Sequence, residues 1–197
     1  MANEKVRGFE WTKDIQAEIS KLNAQKEIGM INLILKSKVE GLKLPERSTA
    51  DSAGYDFYAI EHTTIPSIWK QATKYMFNKL FSGGKEVDEK LFKPTLVSTG
   101  VKAYMQTGEL LKLYNRSSGP TKSYLIVSNG VGVVDKDYYG SKDNDGHIMF
   151  QFLNFGITDR VIKPGDKIGQ GIFEQFLLAD NDNATGERSG GFGSTGK

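Results

Sequence analysis

Five short polar clusters in this 197-residue sequence group side chains whose types could act together on a charged ligand. AGYD, at 53–56, puts a carboxylate at the entry to an expected strand, and taken alone it reads as a surface turn with a solvated aspartate. NRSSGP, at 115–120, combines a guanidinium, two hydroxyls and flexible backbone amides, a composition that suits a phosphate cradle and equally an ordinary turn. GVGVVDKDYYG, at 130–140, reads as a strand ending in an acidic turn, and GDKIGQG, at 165–171, as a hairpin turn. GGFGSTG, at 190–196, is glycine-rich with one aromatic ring and two hydroxyls. That suits backbone wrapped around a phosphorylated ligand, or a polar tail. His62 and His147 stand apart without metal-ligand spacing and are expected to be structural or exposed.

The elements that must position these clusters follow from apolar patterning. With 38% hydrophobic and 25% charged residues the composition is that of an ordinary folded domain, and 22 glycines point to many turns. Trp11, Ile15, Ile19 and Leu22 recur at helical spacing, so an amphipathic helix is expected within 9–30. MINLILKSKV, at 30–39, and FYAIEHTTI read as strands. From 67 to 82 a helix is expected, with Ser67 as its cap, Ile68, Ala72, Tyr75, Met76 and Leu80 on one face, and Gly83-Gly84 as its stop. PTLVSTGVKAYM, ELLKLYNR, YLIVSNGVGVV, HIMFQFLNF and DKIGQGIFEQFLLA read as five more strands, which argues for a sandwich, barrel or jelly roll. The segment after Leu178 is too polar to pack on its own.

Composition also excludes function classes. The net charge of +2 is too small for a general nucleic-acid footprint, so no nucleic-acid partner is expected. The absence of cysteine removes disulfides, thiolate catalysis and zinc–cysteine sites. The opening MANEKVRGFEW carries charge where a signal peptide needs an apolar run, and no membrane span is visible, so a cytoplasmic protein is expected (host cytoplasm if phage-encoded).

Taken together and in order, AGYD, RSSG, GVVDKDYYG, GDKIGQ and RSGGFGSTG resemble the five motifs of the trimeric dUTPases, over roughly 30–197. The resemblance implies an all-β jelly-roll or β-clip subunit with an N-terminal helix and a short helical insertion, assembled into a threefold homotrimer with shared active sites. It divides the chain into an N-terminal extension (1–29), a shell (30–187) interrupted by an insertion (67–92), and a mobile lid (188–197). The implied reaction is magnesium-dependent hydrolysis of dUTP to dUMP and pyrophosphate, which keeps uracil out of DNA and supplies dUMP for dTMP synthesis. Carried over residue by residue, Asp135 directs and deprotonates the water that attacks the α-phosphorus. Asp56 reaches Mg2+ through water. Arg116, Ser117, Ser118 and Gly119 hold phosphates, and Gln170 lies near the α-phosphate. Asn129, with backbone at Gly132 and Val134, reads uracil, and Tyr138 packs on the deoxyribose so that a 2′-hydroxyl is excluded. From the lid, Phe192 stacks on uracil, Arg188 pairs with the terminal phosphate, and Gly193, Ser194 and Thr195 bond the phosphate chain.

The sequence departs from the family pattern in places. One residue, Ser189, separates Arg188 from GGFG where many members have two, which leaves Lys122 or Lys197 to share its work, and Asn115 precedes RSSG where proline is common. The N-terminal helix and the 67–92 insertion have no counterpart in the minimal subunit, and neither is expected to serve the chemistry. The rival enzyme on the same fold is a dCTP deaminase, which needs an acid/base glutamate and typically lacks a GGFGSTG tail. A rival of another class is a regulator that engages a protein partner through the insertion, with Trp69, Tyr75 and Phe77 as anchors, although these rings are expected to cover the insertion's own small core.

Overall fold

The computed structural model describes residues 5–24, 42–81, 92–186 and 188. The strand expected at 30–39, the glycine stop at 83–84 and the lid residues Phe192, Gly193, Ser194 and Thr195 lie outside the described residues. In chain order the elements are β1 (Gly8–Trp11), α1 (Lys13–Ala24), β2 (Glu46–Arg47), β3 (Tyr55–Tyr58), β4 (Thr63–Ile65), α2 (Ile68–Phe81), β5 (Thr95–Ser98), β6 (Val101–Tyr104), β7 (Glu109–Tyr114), β8 (Leu125–Val127), β9 (Gly132–Asp135), β10 (Met149–Asn154), β11 (Arg160–Ile162) and β12 (Lys167–Gln175). One turn of π-helix, Gly119–Ser123, follows β7, and a 3-10 turn, Lys136–Tyr138, follows β9. Among the described residues no helix is long and apolar enough to cross a membrane.

The architecture is the expected all-β shell with a helix near each end of its first half. Antiparallel pairing joins β2-β3-β12-β7-β9 into one sheet and β5-β10-β8 into another, with β1-β6 and β11-β4 as two-stranded ribbons. The inward positions alternate, as in Glu109, Leu111 and Leu113 of β7 and Phe150 and Phe152 of β10, and close on Phe57, Val97, Ile65 and Ile148. Burying a ring the size of Phe150 is worth roughly 1.5–3 kcal/mol, so the three buried phenylalanines Phe57, Phe150 and Phe152 carry much of the core.

Several sequence expectations need correcting. Trp11 is not on the helix: it pairs with Val101 at the end of β1, and the helix starts only at Lys13, after Thr12 has accepted the Gln16 amide at 2.9 Å. The apolar spacing read as continuous helix was a strand followed by a helix. PTLVSTGVKAYM forms two strands because the Thr99 hydroxyl turns aside to the Ile148 carbonyl at 2.5 Å. YLIVSNGVGVV also forms two, broken at Gly130, whose φ of +68° suits a residue without Cβ. FYAIEHTTI divides because the Ala59 and Ile60 amides leave the sheet to reach Asp166 and Ser98 carbonyls.

GDKIGQG is a turn only as far as Asp166; from Lys167 it is the interior of β12. Its glycines answer close packing. A Cβ on Gly169 would lie 2.0 Å from the Phe150 ring, and one on Gly171 would lie 2.7 Å from the Phe57 ring. The strand carrying Gln170 therefore owes its glycines to the two aromatic rings that press on its backbone.

The N-terminal segment is tied into the shell. Phe9 sits with its ring centroid 5.2 Å from Tyr55 and 5.3 Å from both Phe57 and Phe173. Arg7 Nε donates to the two oxygens of buried Glu109 at 3.2 and 3.1 Å. That bidentate grip holds the carboxyl below the usual glutamate range, chiefly through the Arg7 hydrogen bond and against the opposing effect of burial.

α2 begins as expected at Ser67, although this residue belongs to the shell. It is fully buried, its Oγ donates to the Gly156 carbonyl at 2.6 Å, its amide donates to Asp159, and the Lys70 amide reaches its hydroxyl only at 3.5 Å. Tyr75 faces inward toward Phe92, with ring centroids 5.7 Å apart. The expectation that the insertion's aromatic rings cover its own core fails for Phe77, which is 64% exposed although its ring centroid lies 4.4 Å from that of Phe81, and for most of Trp69, which is 57% exposed and donates its Nε1 to the Phe155 carbonyl at 3.0 Å.

Candidate functional site

The five-stranded sheet places the candidate residues in two groups. The first surrounds a cavity of about 210 Å³ whose lining includes Leu113, Gly132, Val134, Asp135, Tyr138 and Arg188. Its floor forms because Gly132 pairs with Leu113 across β9 and β7, with the absent side chain leaving room above the leucine. Asn129 stands at the rim in the turn between β8 and β9, where the Gly130 amide donates back to Val127 O at 3.0 Å. Asp135 ends β9 with its carboxylate half exposed (48%) beside the mouth.

Tyr138 is fixed by two bonds: its hydroxyl donates to the His147 carbonyl at 2.9 Å and accepts from Asn144 Nδ2 at 2.7 Å. Burial pushes its phenol above the ordinary tyrosine value. His147 serves the fold, because its Nε2 accepts the Gly100 amide at 2.9 Å and burial holds its imidazole below the ordinary value, against the charges of Glu61 and Asp14. Arg188 closes the mouth. Its guanidinium pairs with Asp135, donates to Asp137 at 2.8 Å and lies 5.6 Å from the centre of the Tyr138 ring.

The second group gathers where β7 leaves the sheet. Arg116, Ser118 and Gly119 line a polar cavity of about 230 Å³ together with Ser123, Arg160 and Lys167, and Ser117 lies exposed in the same turn. Asp56, on β3, takes Lys167 Nζ at 2.6 Å, the Ser48 hydroxyl at 2.9 Å and Arg116 Nε at 3.4 Å. Burial raises this carboxyl, but the Lys167 and Ser48 bonds and the charges of Lys167 and Arg116 outweigh it, so its net pKa lies below the usual aspartate value. Gln170 donates to the Asn115 carbonyl at 3.0 Å, and its Oε1 sits where a side chain on Gly54 would be, 2.3 Å from that Cβ position. The glycine of AGYD thus makes room for the glutamine of GDKIGQ.

The two groups do not meet in one chain. Asp56 pairs with Gln170 and Gln170 with Tyr114, whereas Asp135 pairs with Leu110. Three strand spacings across and four residues along separate the two carboxylates, which is about 20 Å in a flat sheet. Among the described residues no three histidine or acidic side chains converge as a self-sufficient metal cage.

A family model described as dUTPase matches residues 85–196, more than half of the chain. The deoxyuridine 5'-triphosphate nucleotidohydrolase of Lactococcus lactis subsp. lactis is 42% identical over 166 residues, covering 83% of this chain and 95% of the relative. This chain belongs to the dUTPase family. The crystal structure of the dUTPase from Streptococcus mutans superposes with a TM-score of 0.61 at 35% identity, covering 88% of this chain and 99% of that one. The dUTPase of phage phi11 of S. aureus, at 16% identity and a TM-score of 0.53 over 77% of this chain and 95% of that one, shares the fold alone.

For this dUTPase, sequence reading missed Met149 and Gln151, which line the first cavity from β10, and Arg160 and Lys167, which line the second. The alternation of β10 was a usable signal. Phe150 and Phe152 point inward, so Met149 and Gln151 must occupy the opposite face. Arg160 had none, since only the fold brings it beside Arg116.

Proposed function

We propose that this chain hydrolyses dUTP to dUMP and pyrophosphate in a site completed between subunits of a homotrimer. The observation that carries the reading is the division of labour between the two cavities. Asn129, Gly132, Val134, Asp135 and Tyr138 surround one, and Arg116, Ser118 and Gly119 line the other, with Asp56 and Gln170 beside them. In the first, Asn129 and the backbone at Gly132 and Val134 read uracil, Tyr138 stacks on deoxyribose, and Asp135 takes a proton from the attacking water. In the second, the Arg116 guanidinium, the Ser117 and Ser118 hydroxyls and the Gly119 amide hold phosphates, with Gln170 beside them. Residues about 20 Å apart in one chain can share one triphosphate only if a neighbouring subunit supplies the second group. Leu96, Ile126 and Val133 are exposed on strands of the shell, which suits such an assembly. The lid, with Arg188, Phe192, Gly193, Ser194 and Thr195, closes over the nucleotide and excludes water.

The donor set fits magnesium as a companion of the phosphates. Asp56 is a single ionised carboxylate, and magnesium commonly takes one or two carboxylates while phosphates and waters fill its remaining positions. Asp56 would hold one of those waters, and the ion, when bound, would neutralise charge developing on the departing pyrophosphate. Such an activity would keep uracil out of DNA and supply dUMP for dTMP synthesis. Pyrophosphate release should appear with dUTP and magnesium and be far weaker with dCTP, dTTP or UTP. Uracil nucleotides formed from dCTP, or no release from dUTP, would overturn the reading.

A second role, engagement of a protein partner through α2, is favoured by the stripe of Trp69, Thr73, Met76 and Leu80, whose apolar members are 57–77% exposed. Spacings of four, three and four residues make this the seam of a helix that packs on another helix. α2 carries no acidic residue and Lys74 lies beside the stripe, whereas Lys70 is paired with Asp159 at 3.0 Å, so the fitting partner is an apolar groove with an acidic rim. Replacing Met76 and Leu80 by Ser should weaken that engagement and leave dUTP hydrolysis within about twofold of parental, as expected of exposed residues remote from the chemistry. A collapse of hydrolysis in the double variant would contradict this separation.

A further inference from the structure

The N-terminal strand and helix, dispensable on a minimal view of the chemistry, hold the loop that positions Tyr138. The loop spans 139–147. Within it the Ser141 amide donates to Tyr138 O at 3.1 Å, the Asp145 amide to Ser141 O at 2.7 Å and the His147 amide to Asn144 O at 3.0 Å. Its Asn144 side chain and His147 carbonyl are the two groups bonded to the Tyr138 hydroxyl. The loop backbone also presses on the tyrosine: a Cβ on Gly146 would lie 2.5 Å from the Tyr138 carbonyl oxygen.

Besides His147, whose Nε2 accepts the Gly100 amide at 2.9 Å, this loop is anchored from outside at two further points. Asp145, in the left-handed region at φ +57°, accepts the Lys13 amide at 2.8 Å and Lys102 Nζ at 2.9 Å on one oxygen. It thereby caps the first turn of α1 and pairs with a lysine whose side chain is only 8% exposed. The second anchor is Tyr139, whose hydroxyl donates to Glu10 of β1 at 2.5 Å while Lys102 Nζ lies 4.8 Å from its ring centre. The Glu10 bond keeps the proton on Tyr139 and, with burial, pushes its phenol up to about 12.

We infer that Asp145 is a positioning residue for sugar selection. By tying the loop to α1 and Lys102 it fixes Asn144 and His147, and through them the angle at which the Tyr138 ring meets the deoxyribose. The inference rests on the proposed deoxyuridine-nucleotide site and adds to it a role for the N-terminal segment. A nearly buried ion pair is a rigid link, because leaving Lys102 without its partner is strongly unfavourable. Exclusion of a 2′-hydroxyl needs that rigidity, since a ring free to tilt would admit it.

The test compares kcat and KM for dUTP and for UTP in the parental protein, Asp145→Ala and Asn144→Ala. Asn144→Ala removes one of the loop's two bonds to the Tyr138 hydroxyl, together with the bond from the Gly146 amide, and leaves the Asp145 ion pair intact, so it covers the case in which Asp145→Ala fails to fold. In both variants the preference for dUTP over UTP should fall about tenfold, mainly through KM, while kcat for dUTP, set by Asp135, changes less than about threefold. A folded variant with lowered thermal stability and an unchanged dUTP/UTP ratio would make the role purely structural and overturn the inference. A parental protein that does not release pyrophosphate from dUTP would instead sink the proposed function, so the two failures are distinguishable.

Discussion

Asp135→Asn should lower the turnover of dUTP by about a hundredfold or more while the nucleotide still binds, as expected when a general base is removed without changing shape. The carboxylate ends β9 at the mouth of the cavity lined by Gly132, Val134 and Tyr138, half exposed and so open to a water. Asparagine occupies the same volume but cannot accept the proton. Binding should survive because the proposed readers of base and sugar, Asn129, Gly132 and Tyr138, are held by bonds that do not involve residue 135: the Gly130 turn, the Gly132 pairing with Leu113, and the Asn144 and His147 bonds to Tyr138. Arg188 would lose one partner and keep Asp137. Steady-state turnover, with binding of a non-hydrolysable dUTP analogue measured by calorimetry, separates the two effects. Hydrolysis by Asp135→Asn at the parental rate would show that another group activates the water.

Much of this arrangement was legible in the sequence, for identifiable reasons. The five motifs signal their residue types in order, and the structure brings Asn129, Gly132, Val134, Asp135, Tyr138 and Arg188 to one cavity. Periodicity found α2 because Ile68, Ala72 and Tyr75 recur at helical spacing and turn inward, but Met76 and Leu80, expected on the same face, are 69% and 77% exposed. The same reasoning misassigned Trp11, since an apolar residue two positions before a helix fits the helical stripe even when its backbone is paired with Val101 in a ribbon. Strand breaks at 59–62 and 99–100 were missed because they depend on bonds to distant partners, Ala59 to Asp166 and Thr99 to Ile148, whereas the break at 128–131 turns locally on Gly130.

The glycines of GDKIGQG resembled turn residues because the rings that require them, Phe150 and Phe57, lie elsewhere in the chain. What no local pattern carried was the cross-connection of the N-terminal segment to the site. Asp145 and Lys13 are 132 residues apart, and only the fold makes one the cap of the other's helix. The Asp56 ion pairs are of the same kind: Lys167 and Arg116 meet that carboxylate because β3, β12 and β7 are neighbours in the sheet.

In the proposed trimer, residues separated within one chain act on one nucleotide across a subunit boundary. In mixed trimers of Asp135→Asn and Arg116→Ala chains, some sites should pair an intact Asp135 from one subunit with an intact Arg116 from its neighbour. Each variant alone is expected to be nearly inactive, the first for want of a base and the second for want of a guanidinium on the phosphates. With equal amounts and random assembly, half the sites receive an intact Asp135 and half of those an intact Arg116, so about a quarter of parental activity should return on mixing. The measurement is dUTP-dependent pyrophosphate release by the two variants, co-refolded at equal concentration and compared with each refolded alone. Recovery to about a quarter of the parental rate is the predicted result. Activity no greater than the average of the two variants, in trimers shown to contain both chains, would place the whole site within one chain and contradict the account.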